Sequence, residues 1–309
     1  MRVAVTGAFG YSGRYIAQEL LANGHEVLTL TNSLNRPNPF GNRIRIAPFH
    51  FDYPKLLAGS LQGIEVLINT YWVRFDHKLF THAEAVANTR ALFGAAKSAG
   101  VRRIVHVSIT NPDVHSSLPY FNGKAELEQA LQSLGLSYCI LRPTVLFGKE
   151  DVLINNIAWA LRRLPVFGVF GKGDYRMQPI YVDDLAKAAV QKASESRNEI
   201  LEAIGPETFT FRELVTMIAN ALELKRAIVG ISPALGYWSC RVVGVLVNDV
   251  VITREEIRGL MENRLYVDAP ALGKTRLSEW VARNKNSLGR YYTSEMRRRI
   301  NRKSAYQSN

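Results

Sequence analysis

Three glycines near the start of the chain constrain its fold more than any other feature. They are Gly7, Gly10 and Gly13. A short β-branched run, Val3–Val5, precedes them, and a helical pattern of apolar residues that ends at Asn23-Gly24 follows them. The order of strand, glycine turn and helix is the start of a βαβ unit, in which a helix joins two parallel strands. The turn therefore predicts a parallel sheet.

The same alternation continues along the first half of the chain. Further strands are predicted at His25–Leu30, Ile44–Ala47, Val66–Thr70, Arg103–Ser108 and Tyr138–Leu141. Helical patterns at 80–99 and 120–134 separate the later strands. Strands that alternate with helices form a parallel sheet with helices on both faces. The predicted fold class is therefore α/β, a doubly wound parallel Rossmann sheet.

The character of the sequence changes after Pro143. Residues 155–164 and 181–193 have helical patterns, and 165–173 is rich in glycine, as turns are. Thr210 and Glu213 predict a helix N-terminus with a capping box. We expect a Rossmann domain at 1–150, to which 179–204 returns, and a smaller, mostly helical substrate-side lobe at 151–178 and 205–290. A basic tail at 291–309 completes the predicted organisation.

The glycine turn has a chemical use. A pyrophosphate needs backbone N–H groups that it can approach closely and a helix N-terminus that points at it. Because this turn follows the first strand and begins a helix, it favours dinucleotide binding over a purely structural turn. The predicted contact residues are Gly7, Phe9, Gly10, Tyr11, Ser12 and Gly13.

The end of the second strand indicates which dinucleotide binds. An acidic residue there normally holds the ribose 2′-hydroxyl of NAD, but this chain has Thr31 and Asn32, with Arg36 close behind. Without a carboxylate to repel a 2′-phosphate, and with a cation near, the charges favour NADP(H), while Asn32 stays compatible with NAD. Arg36 also fits an exposed loop charge. Asp52 fits either an acceptor for the adenine amino group or a cap of the helix near Pro54.

Two motifs together resemble the extended and atypical short-chain dehydrogenase/reductase superfamily. They are Thr6-Gly7-x-x-Gly10-x-x-Gly13 and Tyr120-x-x-x-Lys124. The resemblance covers roughly residues 1–230 and includes Leu141-Arg142-Pro143-Thr144 and Pro179-Ile180-Tyr181-Val182-Asp183-Asp184. Among the branches, the chain is similar to the NAD-dependent epimerase/dehydratase-like and NmrA-like proteins and to the dehydrogenase-like accessory subunit of respiratory complex I. The resemblance implies a Rossmann fold and NAD(P) chemistry without naming a substrate.

Tyr120 and Lys124 are spaced to lie on one face of a helix. An adjacent ammonium lowers the pKa of a phenol, so Tyr120 is the candidate general acid or base, and Lys124 is also expected to hold the nicotinamide ribose. An amphipathic helix with a half-buried tyrosine and an exposed lysine fits the same spacing. The resemblance further implies a substrate-orienting hydroxyl after the fifth strand. Thr110 is the candidate, with Ser108 closer to the cofactor.

Further residues are assigned to the site by the resemblance. Thr70 and Tyr71 follow the fourth strand beside the cofactor, and Pro143 and Thr144 after the sixth strand are expected to touch the nicotinamide carboxamide. Tyr71 and Trp72 replace small residues and narrow the pocket, where stacking on a planar substrate and packing under the loop both fit. In the lobe, the residues that fit either substrate recognition or simple exposure are Asn155, Asn156, Arg162 and Gln178.

Charge restricts the macromolecular partners. The net charge is +12, but residues 281–309 contain eight Lys and Arg against Glu295 alone, which leaves +5 for the rest. A terminal basic run is usually a solvated, frayed helix end, and the weaker alternative is a tail that binds phosphate, anionic lipid or a larger complex. No nucleic-acid partner is expected.

Cysteine and histidine usage restrict compartment and metal chemistry. Two cysteines fit a reducing compartment, with the cytoplasm as the default. The first residues begin a strand, so we expect no signal peptide, and no apolar run is long enough to span a membrane. No metal site is expected, because no two of the six histidines have the i, i+4 spacing of paired ligands on a helix.

Two functions from different classes fit the sequence. The first is an NADP(H)-dependent oxidoreductase or epimerase-like enzyme that transfers hydride at a carbonyl or carbinol carbon of a small-molecule substrate, with Tyr120 handling the proton. The second is a dinucleotide-binding protein without turnover, such as a redox sensor, scaffold or assembly factor. The apolar stretch Ser232–Val251 fits a pocket lining, a dimer interface or a core, and homodimerisation is expected only by analogy.

Overall fold

The computed structural model describes residues 1–301 and divides into two compact units. The first unit contains Met1–Pro143 and Val182–Ala203, and the second contains Thr144–Tyr181 and Ile204–Asn309. The sequence predicts the corresponding boundaries at 150, 179 and 204. Arg302 and Lys303 of the predicted basic tail lie outside the described residues.

A seven-stranded parallel sheet forms the centre of the first unit. Numbered along the chain, its strands are β1 (Arg2–Thr6), β2 (Glu26–Leu30), β3 (Ile44–Ala47), β4 (Val66–Asn69), β5 (Arg103–Val107), β6 (Ser137–Pro143) and β11 (Glu199–Ala203). They are ordered β11-β6-β5-β4-β1-β2-β3, and every neighbouring pair is parallel. The predicted doubly wound Rossmann sheet is confirmed, and β11 is the strand that the sequence pattern did not predict.

Helices lie against this sheet. They are α1 (Tyr11–Ala22), α2 (Pro54–Ser60), α3 (His82–Ser98), α4 (Pro119–Gln132) and α6 (Val182–Ala193). Helix α1 packs against α6, and α3 packs against both α2 and α4. The strand order changes direction between β1 and β4, so the carboxyl ends of these two strands border the crevice in which sheets of this type bind ligands. The predicted end of α1 is confirmed, with Asn23 as its C-cap and Gly24 at a φ of +72°.

The second unit combines short strands with helices. Its strands are β7 (Leu146–Phe147), β8 (Val166–Phe170), β9 (Arg176–Met177), β10 (Ile180–Tyr181), β12 (Phe209–Thr210) and β13 (Ala227–Ile231). Its helices are α5 (Leu153–Arg163), α7 (Phe211–Ala221), α8 (Pro233–Val247), α9 (Arg254–Met261), α10 (Leu277–Asn284) and α11 (Glu295–Ile300). The capping box of Thr210 and Glu213 at α7 is confirmed. The turn predicted at 165–173 is wrong for Val166–Phe170, which pairs with Ala227–Ile231 as parallel strands, and is confirmed for 171–173.

The basic tail is docked from Tyr292 to Met296, so the prediction of a frayed, solvated helix end is wrong for this part, whereas Arg297, Ile300 and Asn301 are exposed. Thr293 and Met296 are buried. The Asp249 carboxylate accepts a hydrogen bond from the Tyr292 hydroxyl at 3.0 Å and caps α11 by accepting from the backbone N–H groups of Glu295 and Met296 at 3.0 and 2.9 Å. A distant acidic side chain therefore fixes the start of this basic helix.

The polar residues of the lobe that fitted substrate recognition bind its own backbone instead. The Asn155 amide donates to the Tyr291 carbonyl at 2.9 Å, and Asn156 donates to the Thr293 carbonyl at 2.9 Å. Arg162 donates to the Leu288 carbonyl, and the Gln178 side-chain carbonyl accepts from Val267 N–H. Because buried backbone groups need partners, these side chains have a structural use.

A cluster of ion pairs joins β6, α4 and β11. Arg142 donates two hydrogen bonds to the Glu128 carboxylate, at 3.0 and 2.6 Å, and a third to Glu202 at 3.3 Å. Glu128 is only 3% exposed. A buried carboxylate without a partner is strongly destabilising, so the fold depends on Arg142 more than on a typical surface arginine.

We expect Arg142→Met to lower the free energy of unfolding by about 3 kcal/mol, because Glu128 would then be a buried charge without its main partner. Equilibrium urea denaturation measures the loss. The matched control is Arg102→Met, which breaks the surface pair with Glu65 and should cost at most about 1 kcal/mol. The double variant Arg142→Met/Glu128→Met should recover much of the loss. Equal effects of the two arginine variants would contradict this prediction.

Candidate active site

The glycine turn between β1 and α1 brings the helix unusually close to the strand. Gly7 has a φ of +68°, which other residues rarely adopt. The Gly10 N–H donates to the Gly7 carbonyl at 2.8 Å. A Cβ atom on Gly13 would lie 2.4 Å from the Gly7 carbonyl oxygen. Gly10 is the N-cap residue of α1, and no side chain accepts a capping hydrogen bond there. An approachable backbone and a helix end without a side-chain cap are what a pyrophosphate requires.

Hydrogen bonds tie the carboxyl ends of the central strands together. The Thr6 hydroxyl donates to the Asn69 side-chain carbonyl at 3.0 Å and accepts from Thr70 N–H at 2.6 Å. The Thr70 hydroxyl in turn donates to the Thr6 carbonyl at 2.7 Å. Asn69 also bonds His106 Nδ1 at 3.0 Å. The predicted cofactor residue Thr70 thus lies at the crevice, and its hydroxyl helps to hold the crevice in shape.

His106 is a core residue, as the sequence predicts, but its ring is only partly paired. The side chain is fully buried, and Nε2 has no hydrogen-bond partner within residues 1–301. Burial lowers the pKa of His106 well below its usual value, and the nearby charge of Lys124 lowers it further. The imidazole is therefore neutral and acts as a structural partner of Asn69.

The segments after β2 and after β3 each differ from the sequence-based interpretation in one place. Thr31 is buried and accepts from Ser33 N–H, while Asn32 is exposed. Arg36 is 9% exposed, so the interpretation of an exposed loop charge is wrong. Asp52 is exposed and does not occupy the cap position of α2, which is Tyr53. The capping alternative for Asp52 is therefore wrong as well.

Lys124 is buried on α4. It is 2% exposed, its ammonium donates to the Val107 carbonyl at 2.7 Å, and its Nζ lies 4.4 Å from the centre of the Trp72 ring. The interpretation of an exposed lysine on an amphipathic helix is therefore wrong. Burial lowers the pKa of Lys124 to about 7, although the charge of Glu128 opposes the shift. A lysine with this pKa changes charge near neutral pH.

Tyr120 lies one turn earlier on the same helix and is half-buried. Its ring centre lies 5.7 Å from those of Trp72 and His82, with an edge-to-face geometry in both pairs. Trp72 thus lies against both the Tyr120 ring and the ammonium of Lys124, and the three side chains form one cluster. Tyr71 is not part of this cluster, because its ring packs against Phe49 and Phe51 in the loop after β3.

The two candidate hydroxyls have different surroundings. Thr110 is fully buried, and its hydroxyl donates to Glu202 at 2.8 Å. Ser108 is 3% exposed, and its hydroxyl has no partner within residues 1–301. An orphaned buried hydroxyl fits a polar group of a bound ligand. Sequence reasoning missed Glu202, because the strand that contains it was not predicted.

Pro143 and Thr144 separate at the boundary between the units. The Pro143 carbonyl accepts from Thr110 N–H at 3.0 Å in the first unit. Thr144 belongs to the second unit, where its hydroxyl donates to the Gln178 carbonyl. Within residues 1–301, the structure has no group of three or more acidic, histidine or cysteine side chains that could hold a metal ion. Nor is any helix in that range long and apolar enough to cross a membrane.

This geometry agrees with comparisons to known proteins. The sequence model of the NAD dependent epimerase/dehydratase family matches residues 3–203, more than half of the chain. The chain belongs to this family. The match covers β1 through β11 and therefore the glycine turn, Tyr120 and Lys124, and it confirms the predicted resemblance.

Named relatives of this family member include two mitochondrial proteins whose names describe them as subunits. It is 28% identical over 232 residues to NADH dehydrogenase (ubiquinone) 1 alpha subcomplex subunit 9, mitochondrial, of Arabidopsis thaliana. The aligned region covers 71% of this chain and 57% of that protein. It is 26% identical over 235 residues to the mitochondrial NADH-ubiquinone oxidoreductase 40 kDa subunit of Neurospora crassa, covering 74% and 62%. The chain thus spans less than two thirds of these relatives. Their mitochondrial names give the predicted cytoplasmic location no support.

A solved structure shows the same fold over nearly the whole chain. The Citrobacter sp. triphenylmethane reductase complexed with NADP(H) superimposes with a TM-score of 0.77 at 18% identity, covering 92% of this chain and all of that one. At this identity the likeness establishes the fold alone. The family member therefore has an NAD(P)-binding Rossmann fold, whichever dinucleotide it prefers.

We expect Gly13→Ala to lower the free energy of unfolding by about 1–3 kcal/mol, because its Cβ would overlap backbone atoms that cannot move aside. Nicotinamide dinucleotide affinity should fall as well, since the turn must open to admit the methyl group. The matched control is Gly94→Ala in α3, where a Cβ would meet nothing within 4 Å and stability should stay equal or rise by up to about 1 kcal/mol. Thermal unfolding of both variants measures the two changes in stability. A Gly13→Ala variant as stable as the wild type would contradict the prediction.

The lowered pKa of Lys124 predicts a pH dependence of stability. Between pH 7 and 10.5 the unfolded lysine holds a proton that the folded one has released, so the free energy of unfolding rises with pH across this window. Below the folded pKa the cost of burying the charge is fully present. Lys124→Met should therefore flatten the slope in urea titrations at a series of pH values across this window. An unchanged slope would mean that Lys124 is not buried as described.

Proposed function

We propose that the chain is an NADP(H)-dependent oxidoreductase in which Tyr120 exchanges a proton with the carbonyl or carbinol oxygen of a small-molecule substrate. One observation carries the proposal. The half-buried Tyr120 and the buried Lys124 both lie against Trp72. The ammonium of Lys124 donates to the carbonyl of Val107, and the next residue is Ser108, whose buried hydroxyl has no partner within residues 1–301. Acid–base, charge and hydrogen-bonding groups thus converge at the carboxyl edge of the sheet.

Lys124 supports the proton chemistry of Tyr120. A pKa of about 7 lets the lysine exist in both forms near neutral pH, which is where general acid–base catalysis is efficient. Its ammonium form favours the phenolate of Tyr120. In the reducing direction the Tyr120 hydroxyl gives its proton to the substrate carbonyl oxygen, and in the oxidising direction the phenolate takes the carbinol proton. When bound, the nicotinamide supplies or accepts the hydride.

Ser108, more than Thr110, is suited to orient a ligand. The Thr110 hydroxyl already donates its proton to a hydrogen bond with Glu202, so it has no proton left to donate to a ligand. The Ser108 hydroxyl retains both its donor and its acceptor capacity. We therefore assign the hydrogen bond to the substrate or the nicotinamide ribose to Ser108, with Thr110 supporting the edge of the sheet.

The dinucleotide would lie along the β1–α1 turn, with Gly7, Gly10 and Gly13 at its pyrophosphate. The end of β2 has no carboxylate that would repel a 2′-phosphate, because Thr31 and Asn32 occupy this position. Together with the cation of Arg36, this favours NADP(H) over NAD(H). The solved structure of a triphenylmethane reductase with NADP(H) is consistent with this preference.

A second function has one specific observation in its favour. The ammonium of Lys124 already donates to Val107, and Trp72 covers it, which suits a protein that holds a dinucleotide without turning it over. The names of the relatives from Arabidopsis and Neurospora, both subunits, fit a role in a larger complex. Such a protein would bind the dinucleotide as a structural or sensory ligand.

We expect calorimetric titration to give NADP(H) at least a tenfold tighter dissociation constant than NAD(H), about 1.4 kcal/mol. Arg36→Ala should remove the preference, whereas Arg45→Ala, which changes an exposed arginine of the neighbouring strand β3, should retain it. Tyr120→Phe should leave the affinity unchanged and abolish turnover on a panel of carbonyl substrates, because only the proton donor is removed.

Each alternative result identifies a different function. Binding without turnover by the wild type on any member of the panel would favour the second function. Full activity of Tyr120→Phe would overturn the assigned proton donor. If neither dinucleotide bound, both functions would be wrong and the glycine turn would be purely structural.

A further inference from the structure

Helix α8 buries its glycines against the protein, with Tyr237 and Cys240 partly buried against the core, and it exposes most of its other large apolar residues. Gly236 and Gly244 are its buried residues. A Cβ atom on Gly236 would lie 2.4 Å from the Phe170 ring, and one on Gly244 would lie 2.6 Å from the Asp249 carbonyl oxygen. The helix therefore packs closely through glycines against β8 and the segment after its own C-terminus. An ordinary amphipathic surface helix instead turns most of its large apolar residues inward.

The outward side of α8 is a contiguous apolar face. Its members and their exposed fractions are Leu235 (57%), Trp238 (61%), Val242 (63%), Val245 (79%) and Leu246 (80%). Spacings of three, four and seven residues align them along one side of the helix. Helix α8 contains no acidic residue, and Arg241 on it is exposed. Isolated exposed apolar residues are common, but a continuous row of this kind marks an interaction surface. The core interpretation of Ser232–Val251 is therefore wrong for these side chains.

A basic helix is anchored just after the C-terminal end of α8. Asp249, two residues beyond the end of α8, caps α11 through the backbone of Glu295 and Met296. Helix α11 has an exposed Arg297, and exposed apolar side chains lie at and near its ends, with Tyr291 74% and Ile300 57% exposed. The sequence of the second unit contains 22 Lys and Arg against 13 Asp and Glu, a net charge of +9 out of the +12 of the chain. The apolar face thus lies in the strongly basic part of the molecule.

We infer that the outer face of α8, together with α11, docks on the surface of a lipid bilayer that contains anionic lipids. Helices that lie in the membrane interface combine an apolar face with nearby cations, and Trp and Tyr prefer the headgroup level. Trp238, Tyr291, Arg241 and Arg297 supply both features. The inference concerns a surface of the second unit and holds whether or not the proposed catalytic function does.

The net positive charge of the second unit favours a bilayer over a second copy of the chain. A twofold interface through this face would bring the basic second units of two copies together, with their like charges repelling. An anionic surface has the opposite sign and attracts the same charges over a Debye length. The face is therefore complementary to anionic lipid and not to itself.

Vesicle flotation of the full chain tests the inference. The probes are vesicles of phosphatidylcholine alone and of phosphatidylcholine with phosphatidylglycerol. We expect the protein to float with the phosphatidylglycerol vesicles, much less with phosphatidylcholine alone, and less again at high salt. Leu246→Ser should lower the partition coefficient about tenfold, because it removes apolar area that the acyl region would cover.

Matched controls distinguish membrane binding through this face from non-specific adsorption to vesicles and from misfolding of the variants. Leu79→Ser changes a leucine of the first unit that is 57% exposed and should leave flotation unchanged. Arg297→Gln should lower binding several-fold, whereas Arg90→Gln, in the surface pair with Glu126, should not. All four variants alter exposed side chains, and thermal unfolding confirms that they fold. As a second readout, vesicles with brominated acyl chains should quench wild-type fluorescence more than that of Trp238→Phe.

Several results would overturn the inference. These are an absence of flotation, equal binding to neutral and anionic vesicles, or equal losses in Leu79→Ser and Leu246→Ser. A concentration-dependent dimer in sedimentation velocity that Leu246→Ser abolishes, without vesicle binding, would instead assign the face to a second copy of the chain.

Discussion

The contact between the start of α1 and the end of β1 is the constraint on which the site depends. Gly13 has room for a hydrogen atom and for nothing larger, because the Gly7 carbonyl lies where a Cβ would be. This contact fixes the start of α1 against the end of β1, which borders the crevice between β1 and β4. Everything proposed for the dinucleotide follows from this placement, since a helix N-terminus attracts phosphate only when the two are close.

Several polar side chains near the crevice turn out to hold the protein together. Thr6, Asn69 and Thr70 join strand ends through mutual hydrogen bonds, and Thr110 is bound to Glu202. Buried polar groups are rarely left unpaired, so most hydroxyls in a crevice of this kind have partners in the protein. The groups that remain free for chemistry are then few. Ser108 stands out because its hydroxyl is buried and has no partner within the described residues.

The two units differ in net charge. In the first unit, Arg142 pairs with the buried Glu128, and burial lowers the pKa of Lys124 to about 7. The second unit has most of the net positive charge and exposes an apolar helix beside it. The first arrangement suits chemistry in a site that excludes water, where a shifted pKa is useful. The second suits attachment to a large surface of opposite charge.

The sequence by itself determined the features that depend on neighbouring residues. The glycine turn, the alternation of strands and helices, and the caps at Asn23 and Thr210 follow from local backbone preferences and short-range hydrogen bonds. Only the tertiary structure decided the burial of Lys124, the partner of Thr110 and the docking of α11. Thr110 and Glu202 are 92 residues apart, and Asp249 and Met296 are 47 apart. Such contacts depend on how distant segments pack, and no local pattern in the sequence records which face of a helix the packing leaves exposed.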